Sequence, residues 1–309
     1  MATKYLWLTL ATLAACAWTA ADAQSTVHLY IYDTHTGTVT QATGPMDWEP
    51  YNASFSNNGK KLVHDLTGGW PQLLGVTDPA TGTTTSLGLA GDNAVWSPNS
   101  RFIAYWNFSD WIDSGFDPNV PPQVRVIPAE GGLPVAVRDW ASDASWSNNS
   151  RRIAFVDWWP QYIGTIALDG TGETLFNEAV LGTRDGIGCN PSYSPDGKLI
   201  VYESRECAEG GGIARLMVIP VNARGEALGT PYPITSGDYY VSHPSFSNDG
   251  KTIVFSRCPF PCEDPSATGL YTVTVYGGDP VMLFDRPGKG EYDPAYSKNG
   301  RYIVFSGPE

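Results

Sequence analysis

Asn190-Pro191-Ser192-Tyr193-Ser194-Pro195-Asp196-Gly197-Lys198 reads as the end of one strand, a tight turn, and the entry to a second strand, Leu199-Ile200-Val201-Tyr202. Gly197 tolerates the positive φ that such a turn needs, so the stretch is a β-hairpin. It recurs five more times, at Asn52 to Lys60, Asn93 to Arg101, Asp143 to Arg151, His243 to Lys251 and Asp293 to Arg301. The aromatic members Phe55, Trp96, Trp146, Tyr193, Phe246 and Tyr296 are separated by 41, 50, 47, 53 and 50 residues, which counts six units. Each unit holds a second hairpin, such as Leu73-Leu74-Gly75-Val76-Thr77 turning at Ala80-Thr81-Gly82. Four antiparallel strands per unit, six times over, give an all-β fold: a six-bladed β-propeller. One aromatic on each innermost strand is expected to wedge between adjacent blades.

The ends of the chain fit together. The sixth unit stops after its second strand at Phe305-Ser306, while Val27 to Tyr32 and Thr38 to Gln41 form a hairpin with no leading hairpin of its own. Docking that hairpin onto the last blade closes the ring and removes an open sheet edge.

These repeats, with their Ser-Pro-Asp-Gly-Lys core at Ser194 to Lys198, resemble those of the TolB-type six-bladed propellers over the whole mature chain. The resemblance implies the propeller fold and, for TolB itself, periplasmic docking of outer-membrane partners. TolB carries an α/β domain ahead of its propeller, whereas here the first blade strand follows within a few residues of the expected leader cleavage. Similar repeats precede the hydrolase domain of prolyl oligopeptidase-like peptidases, but the Gly-x-Ser-x-Gly elbow of that domain does not occur, so serine peptidase activity is not expected. Oligogalacturonate lyases have propellers similar to this one and place several histidines around a metal. Of the four histidines here, His28, His35 and His64 fall in strands or a turn, and His243 alone reaches the corresponding mouth.

Residues 1–23 read as a secretory leader: Lys4, an apolar run from Tyr5 to Ala17, and Ala21-Asp22-Ala23 before Gln24. Leu13-Ala14-Ala15-Cys16 offers a competing lipoprotein site with Cys16 lipidated. Either route exports the chain to the periplasm or cell surface, and 24–309 is expected to be one propeller domain. No later segment approaches the ~20 apolar residues of a membrane span. With 32 acidic against 19 basic residues and a net charge of -13, a nucleic-acid partner is disfavoured, and a cation or a neutral or basic ligand is easier to accommodate. A monomer is expected.

Strand-connecting loops on one face of the propeller are long and varied, while those on the other are short, so binding is expected on the long-loop face. Trp106, Trp111, Trp158, Trp159, Tyr162, Tyr239, Tyr240 and Tyr292 lie there with Arg205 and Arg257, as candidates to hold a protein or glycan partner. The residue three before each anchor aromatic is short and polar: Asn52, Asn93, Asp143, Asn190, His243 and Asp293. Two readings stand for this ring. The side chains cap their own turns, or their oxygens converge on the channel and hold Ca²⁺. His243, Asp143 and Asp293 are also the candidate catalytic groups of an alternative reading, a polysaccharide lyase or hydrolase, or a lactonase-type hydrolase with a channel metal. Cys189, Cys207, Cys258 and Cys262 are expected to form two bridges, 189 to 207 and 258 to 262.

Overall fold

The computed structural model describes residues 27–44, 46–69, 71–181, 186–204 and 213–309; the expected leader, Cys16, Arg205 and Cys207 lie outside the described residues. Six four-stranded antiparallel sheets are arranged as blades. The strands that line the axis are Glu49–Phe55, Asp92–Trp96, Ala141–Trp146, Cys189–Tyr193, Tyr239–Phe246 and Tyr292–Tyr296. Each packs against its neighbours around the ring. Val27–Asp33 pairs antiparallel with Tyr302–Pro308, so the N-terminal hairpin completes the sixth blade as expected. Arg301 fastens this closure with Nε and Nη2 at 3.0 and 2.8 Å from Asp33 Oδ2.

The recurring Ser-x-Asn/Asp has a local cause. In the fourth blade Ser194 Oγ donates to Asp196 Oδ1 at 2.7 Å, while the Lys198 and Leu199 amides donate to Asp196 Oδ1 and Ser194 Oγ. The same serine-to-Asn/Asp bond forms at Ser56, Ser97, Ser147, Ser247 and Ser297. These side chains satisfy turn amides that would otherwise lack partners. The residue closing each turn is left-handed, and is Gly in four blades and Ser100 or Ser150 in the others.

Two layers of rings hold the blades face to face. On the second strands His64, Tyr105, Phe155, Tyr202, Phe255 and Phe305 are all fully enclosed. On the innermost strands Phe55, Trp146, Tyr193 and Phe246 are buried, and Trp96 and Tyr296 are half-buried. Trp146 stacks on Phe102 of the preceding blade at 6.2 Å and donates its Nε1–H to Val95 O. Hydroxyl clamps reinforce alternate blade junctions: Ser54, Ser145 and Ser245 Oγ accept the backbone N–H of the next blade's aromatic, Trp96, Tyr193 and Tyr296. His64 is neutral at ordinary pH, because burial pushes its imidazole down to about 4.

Candidate functional site

Every innermost strand carries a β-bulge at the same place. The register slips between Tyr51 and Ser54, Asp92 and Val95, Ser142 and Ser145, Cys189 and Ser192, Ser242 and Ser245, and Tyr292 and Ala295. The first bulged residue is the ring residue, and all six adopt left-handed backbone, with φ from 47° at Asp143 to 54° at Asp293. Asn, Asp and His enter that region more readily than other side chains, so the backbone alone gives a reason for a short polar residue at each position. The second bulged residue is Ala in the first three blades and Pro in the last three, where a missing N–H costs no ladder bond.

The ring side chains turn toward one another and toward buried acids beneath them. Asn52 Nδ2 donates to Asp65 Oδ2 at 2.7 Å, and Asn190 Nδ2 donates to Glu203 Oε1 at 2.6 Å. Backbone N–H groups of the next blade also reach each acid, from Ala94 to Asp65 Oδ1 at 3.5 Å and from His243 to Glu203 Oε1 at 2.8 Å, while the Asn93 N–H donates to Asp92 Oδ1 at 2.8 Å. Next around the ring, Asn93 Nδ2 donates to Asp143 Oδ1 at 2.8 Å, and His243 Nδ1 lies 3.0 Å from Asp293 Oδ1. The network therefore repeats after three blades, with His243 in the place of Asn93. Asp65 and Glu203 have no access to solvent.

Charges in the ring perturb one another. Burial alone would depress the His243 imidazole, but Asp293, Glu203 and Asp143 outweigh it and hold it near about 9, so it is an imidazolium at neutral pH. Burial lifts the Asp143 carboxyl to about 6 against the pull of His243. Burial, then the charge of Asp92 and a hydrogen bond to it, push Asp65 well above the carboxylate range. A hard cation needs several oxygens turned to one point. Here the Asn52, Asn93 and Asn190 amide nitrogens donate to carboxylates, the Asn52 Oδ1 is buried without a donor among the described residues, an imidazolium occupies the ring, and among the described residues no three His, Cys, Asp or Glu are grouped to hold a metal.

The aromatic candidates divide into two groups. Trp106, Trp111 and Trp158 meet at the mouth of the second and third blades, joined by Trp140, Phe108 and Phe116. Ring centroids lie 5.5 Å apart for Trp111 and Trp158, 6.0 Å for Trp106 and Trp158, and 6.1 Å for Trp111 and Trp140. The helix Ser109–Asp113 delivers Trp111 to the cluster and fixes Asp110 to Arg125 at 2.7 Å. The indole N–H groups of Trp106 and Trp111 are buried without an acceptor among the described residues. Trp159 is 55 % exposed beside the cluster, and Phe116 is 39 % exposed on its rim.

The remaining described candidates make local contacts with their own and neighbouring elements. Tyr162 is buried and bridges to Ile187. Arg257 lies over the Tyr239 ring at 3.4 Å and near Tyr271 at 4.9 Å, and Tyr240 pairs in register with Cys258. Tyr292 donates its hydroxyl to Pro265 O at 3.0 Å. Cys258 and Cys262 form the expected disulfide, and Cys189 is also disulfide-bonded.

Backbone strain is concentrated at the tryptophan cluster. Eleven non-glycine residues have positive φ among those described: six are the ring residues, and Ser100 and Ser150 close turns of the repeat. The three outside that repeated architecture are Phe116, Trp140 and Gln161, at φ 66°, 52° and 73°. Phe116 and Trp140 belong to the cluster, and Gln161 follows Trp158 by three residues in the chain. Left-handed backbone at bulky residues costs about 1–2 kcal/mol each and persists where the surroundings impose it.

Sequence reasoning missed Asp65, Asp92 and Glu203. Asp65 carried a signal, a carboxylate within the apolar strand Leu62–Thr67.

Comparison with solved structures places the architecture. A protein from Agrobacterium tumefaciens described as a TolB superposes with a TM-score of 0.72 at 17% identity, over 93% of this chain and 99% of that one. The fold is that of the TolB-like propellers. TolB from Acinetobacter baumannii matches 92% of this chain and 63% of its own length, with a TM-score of 0.57 at 14% identity. An oligogalacturonate lyase from Vibrio parahaemolyticus gives a TM-score of 0.50 at 14% identity, over 93% and 98%. No family model and no curated protein matches the sequence. Within the TolB-like frame, helical content is confined to short loop segments, and among the described residues no helix is long and apolar enough to cross a membrane.

Proposed function

We propose that this chain is an exported binding module that holds a protein partner on its long-loop face, anchored at the tryptophan cluster of the second and third blades. The observation that carries the reading is the coincidence of that cluster with all the backbone strain lying outside the repeat, at Phe116, Trp140 and Gln161. Strain kept at one surface patch of a regular scaffold marks a place where geometry serves binding. Large rings at a rim are the usual anchors of protein interfaces. Export is supported by the leader from Lys4 to Ala23.

Charge complementarity selects the partner. Asp110, Asp113, Asp117, Asp139 and Asp157 surround the cluster, and Arg125 and Arg138 are already paired with Asp110 and with Asp157 and Glu173. A segment bearing Lys or Arg would set its cation over exposed rings in an acidic neighbourhood where five aspartates outnumber two arginines. The alternative reading, acid–base catalysis at the channel, is less well supported, because Asn52, Asn93, Asn190 and His243 engage the ring acids in mutual bonds.

A random peptide library selected against the immobilised protein tests the proposal. Selected sequences are expected to combine Lys or Arg with an apolar residue, and to lose about tenfold in affinity for Trp159→Ala and Phe116→Ala. Binders indifferent to both substitutions, or saturable binding of a neutral oligosaccharide to the same rings, would overturn it.

A further inference from the structure

At the opposite end of the channel, the innermost strands run into the short turns and leave a cavity of about 140 Å³ among the second to sixth blades. Its walls are the rings of Trp146, Tyr193, Phe246 and Tyr296, and its polar lining includes Asn148, Asn248, Ser245 and Lys298. None of the lining residues is acidic, and Lys298 is the one cation among them, in a protein whose net charge is -13. The position two after the anchor aromatic is neutral in every other blade: Asn57, Pro98, Asn148, Pro195 and Asn248.

Lys298 crosses the mouth. Its Nζ donates to Asn148 Oδ1 at 3.0 Å, joining the sixth blade to the third on the far side of the ring. No carboxylate lies within ion-pair distance of it among the described residues. Among the described residues no acceptor takes the remaining hydrogens of Nζ or either hydrogen of Asn148 Nδ2. Ser245 Oγ already accepts the Tyr296 N–H at 3.1 Å, so its own hydrogen is free as well. A cation and neutral donors at one mouth, with no acid among them, form a receptor for negative charge. Four aromatic walls add an apolar body to the requirement.

We infer that the short-turn mouth is a binding site for a small monocarboxylate, with Lys298 as its cation and the anchor rings as its apolar wall. Cavities of about 150 Å³ hold a molecule of roughly six non-hydrogen atoms, which bounds the ligand at the size of butyrate. A single ammonium suits one negative charge, and the aromatic walls favour an alkyl body over a phosphate.

Titration of sodium butyrate into the ¹⁵N-labelled full chain, followed by amide shifts, tests the site. Saturable shifts are expected at Asn148, Ser245, Tyr296 and Lys298, with 1-butanol at least about tenfold weaker. Lys298→Met should weaken butyrate about tenfold and Lys298→Arg should retain it. Asn148→Asp, which gives the ammonium its own carboxylate, should weaken it without touching the lysine. Equal affinity in wild type and Lys298→Met, butanol binding as well as butyrate, or no saturable shift at these amides would overturn the inference. Unchanged spectra elsewhere in each variant confirm that the fold is intact.

Discussion

At the long-loop mouth the six innermost strands present Asn52, Asn93, Asp143, Asn190, His243 and Asp293 above the enclosed acids Asp65 and Glu203. A few residues further along the same strands, the short-turn mouth presents Asn57, Pro98, Asn148, Pro195, Asn248 and Lys298. The first ring is spent on itself: its amides and imidazole are bonded to carboxylates, and the mouth stays acidic. Mutual bonding is sparse in the second ring, where one lysine bridges two opposite blades. The comparison teaches that a six-fold scaffold can use one end of its channel to lock the blades together and keep the other end for a ligand. Loops add the rest, because Trp111, Trp140 and Trp158 of the tryptophan cluster come from connections that emerge beside the acidic mouth, next to Trp106 at the end of its strand.

If the acidic ring locks the blades, breaking it should cost far more than breaking the lysine bridge. Glu203→Ala removes the acceptor of both the Asn190 side chain and the His243 amide, and is expected to cost about 3 kcal/mol in denaturant unfolding. A loss below about 1 kcal/mol would show that the network does not hold the ring.

Asn93→Ala should cost about 2 kcal/mol, part from an L side chain without local polar bonding at φ 52° and part from the lost bond to Asp143. Asn93→Gly should recover the backbone share, since glycine enters left-handed backbone freely. Equal losses for both variants would place the whole cost in the side-chain bond.

A smaller effect is expected from pH. His243 has a folded pKa near about 9 against 6.5 unperturbed, so the folded state binds the extra proton. Its stabilisation is complete below pH 6.5 and is lost as pH rises through 9. Asp143, raised to about 6 from 3.8, adds a loss of the same sign at lower pH, as its carboxyl ionises in the folded state. After allowance for solvent at the mouth, the His243 contribution is about 1–2 kcal/mol, and His243→Gln should flatten the decline between pH 6.5 and 9. Lys298→Met, at the other mouth, should change stability by no more than about 0.5 kcal/mol.

The same contrast explains what could be read from the residues alone. The blades were legible because each hairpin repeats one solution to one problem: Ser-x-Asn/Asp satisfies the turn amides, and one aromatic fills each blade junction. The ring positions were legible as polar, but their left-handed φ arises from a bulge that only pairing with the second strand reveals. Glu203 was hidden for the same reason, since its partners lie on other strands, whereas Asp65 stood out as a carboxylate in an apolar strand without showing its partners. Lys298 sits within the repeat that decided the fold, and was overlooked because its meaning comes from Asn148 on the opposite blade. Of the expected bridges, Cys258 to Cys262 followed from closeness along the chain. The tryptophans could be assigned to one face, yet only the folded loops separate the cluster of Trp106, Trp111 and Trp158 from Tyr162 and Tyr292.

One spectrum, recorded against two ligands, tests the opposition of the mouths most directly. A lysine-rich peptide and butyrate would be titrated separately into the ¹⁵N-labelled chain. Opposed mouths predict that the peptide shifts the indole N–H signals of Trp140, Trp158 and Trp159 and leaves Ser245 and Tyr296 in place, while butyrate does the reverse. Both ligands moving the same signals, or neither moving its own set, would contradict the division of the channel into an acidic aromatic mouth and a cationic one.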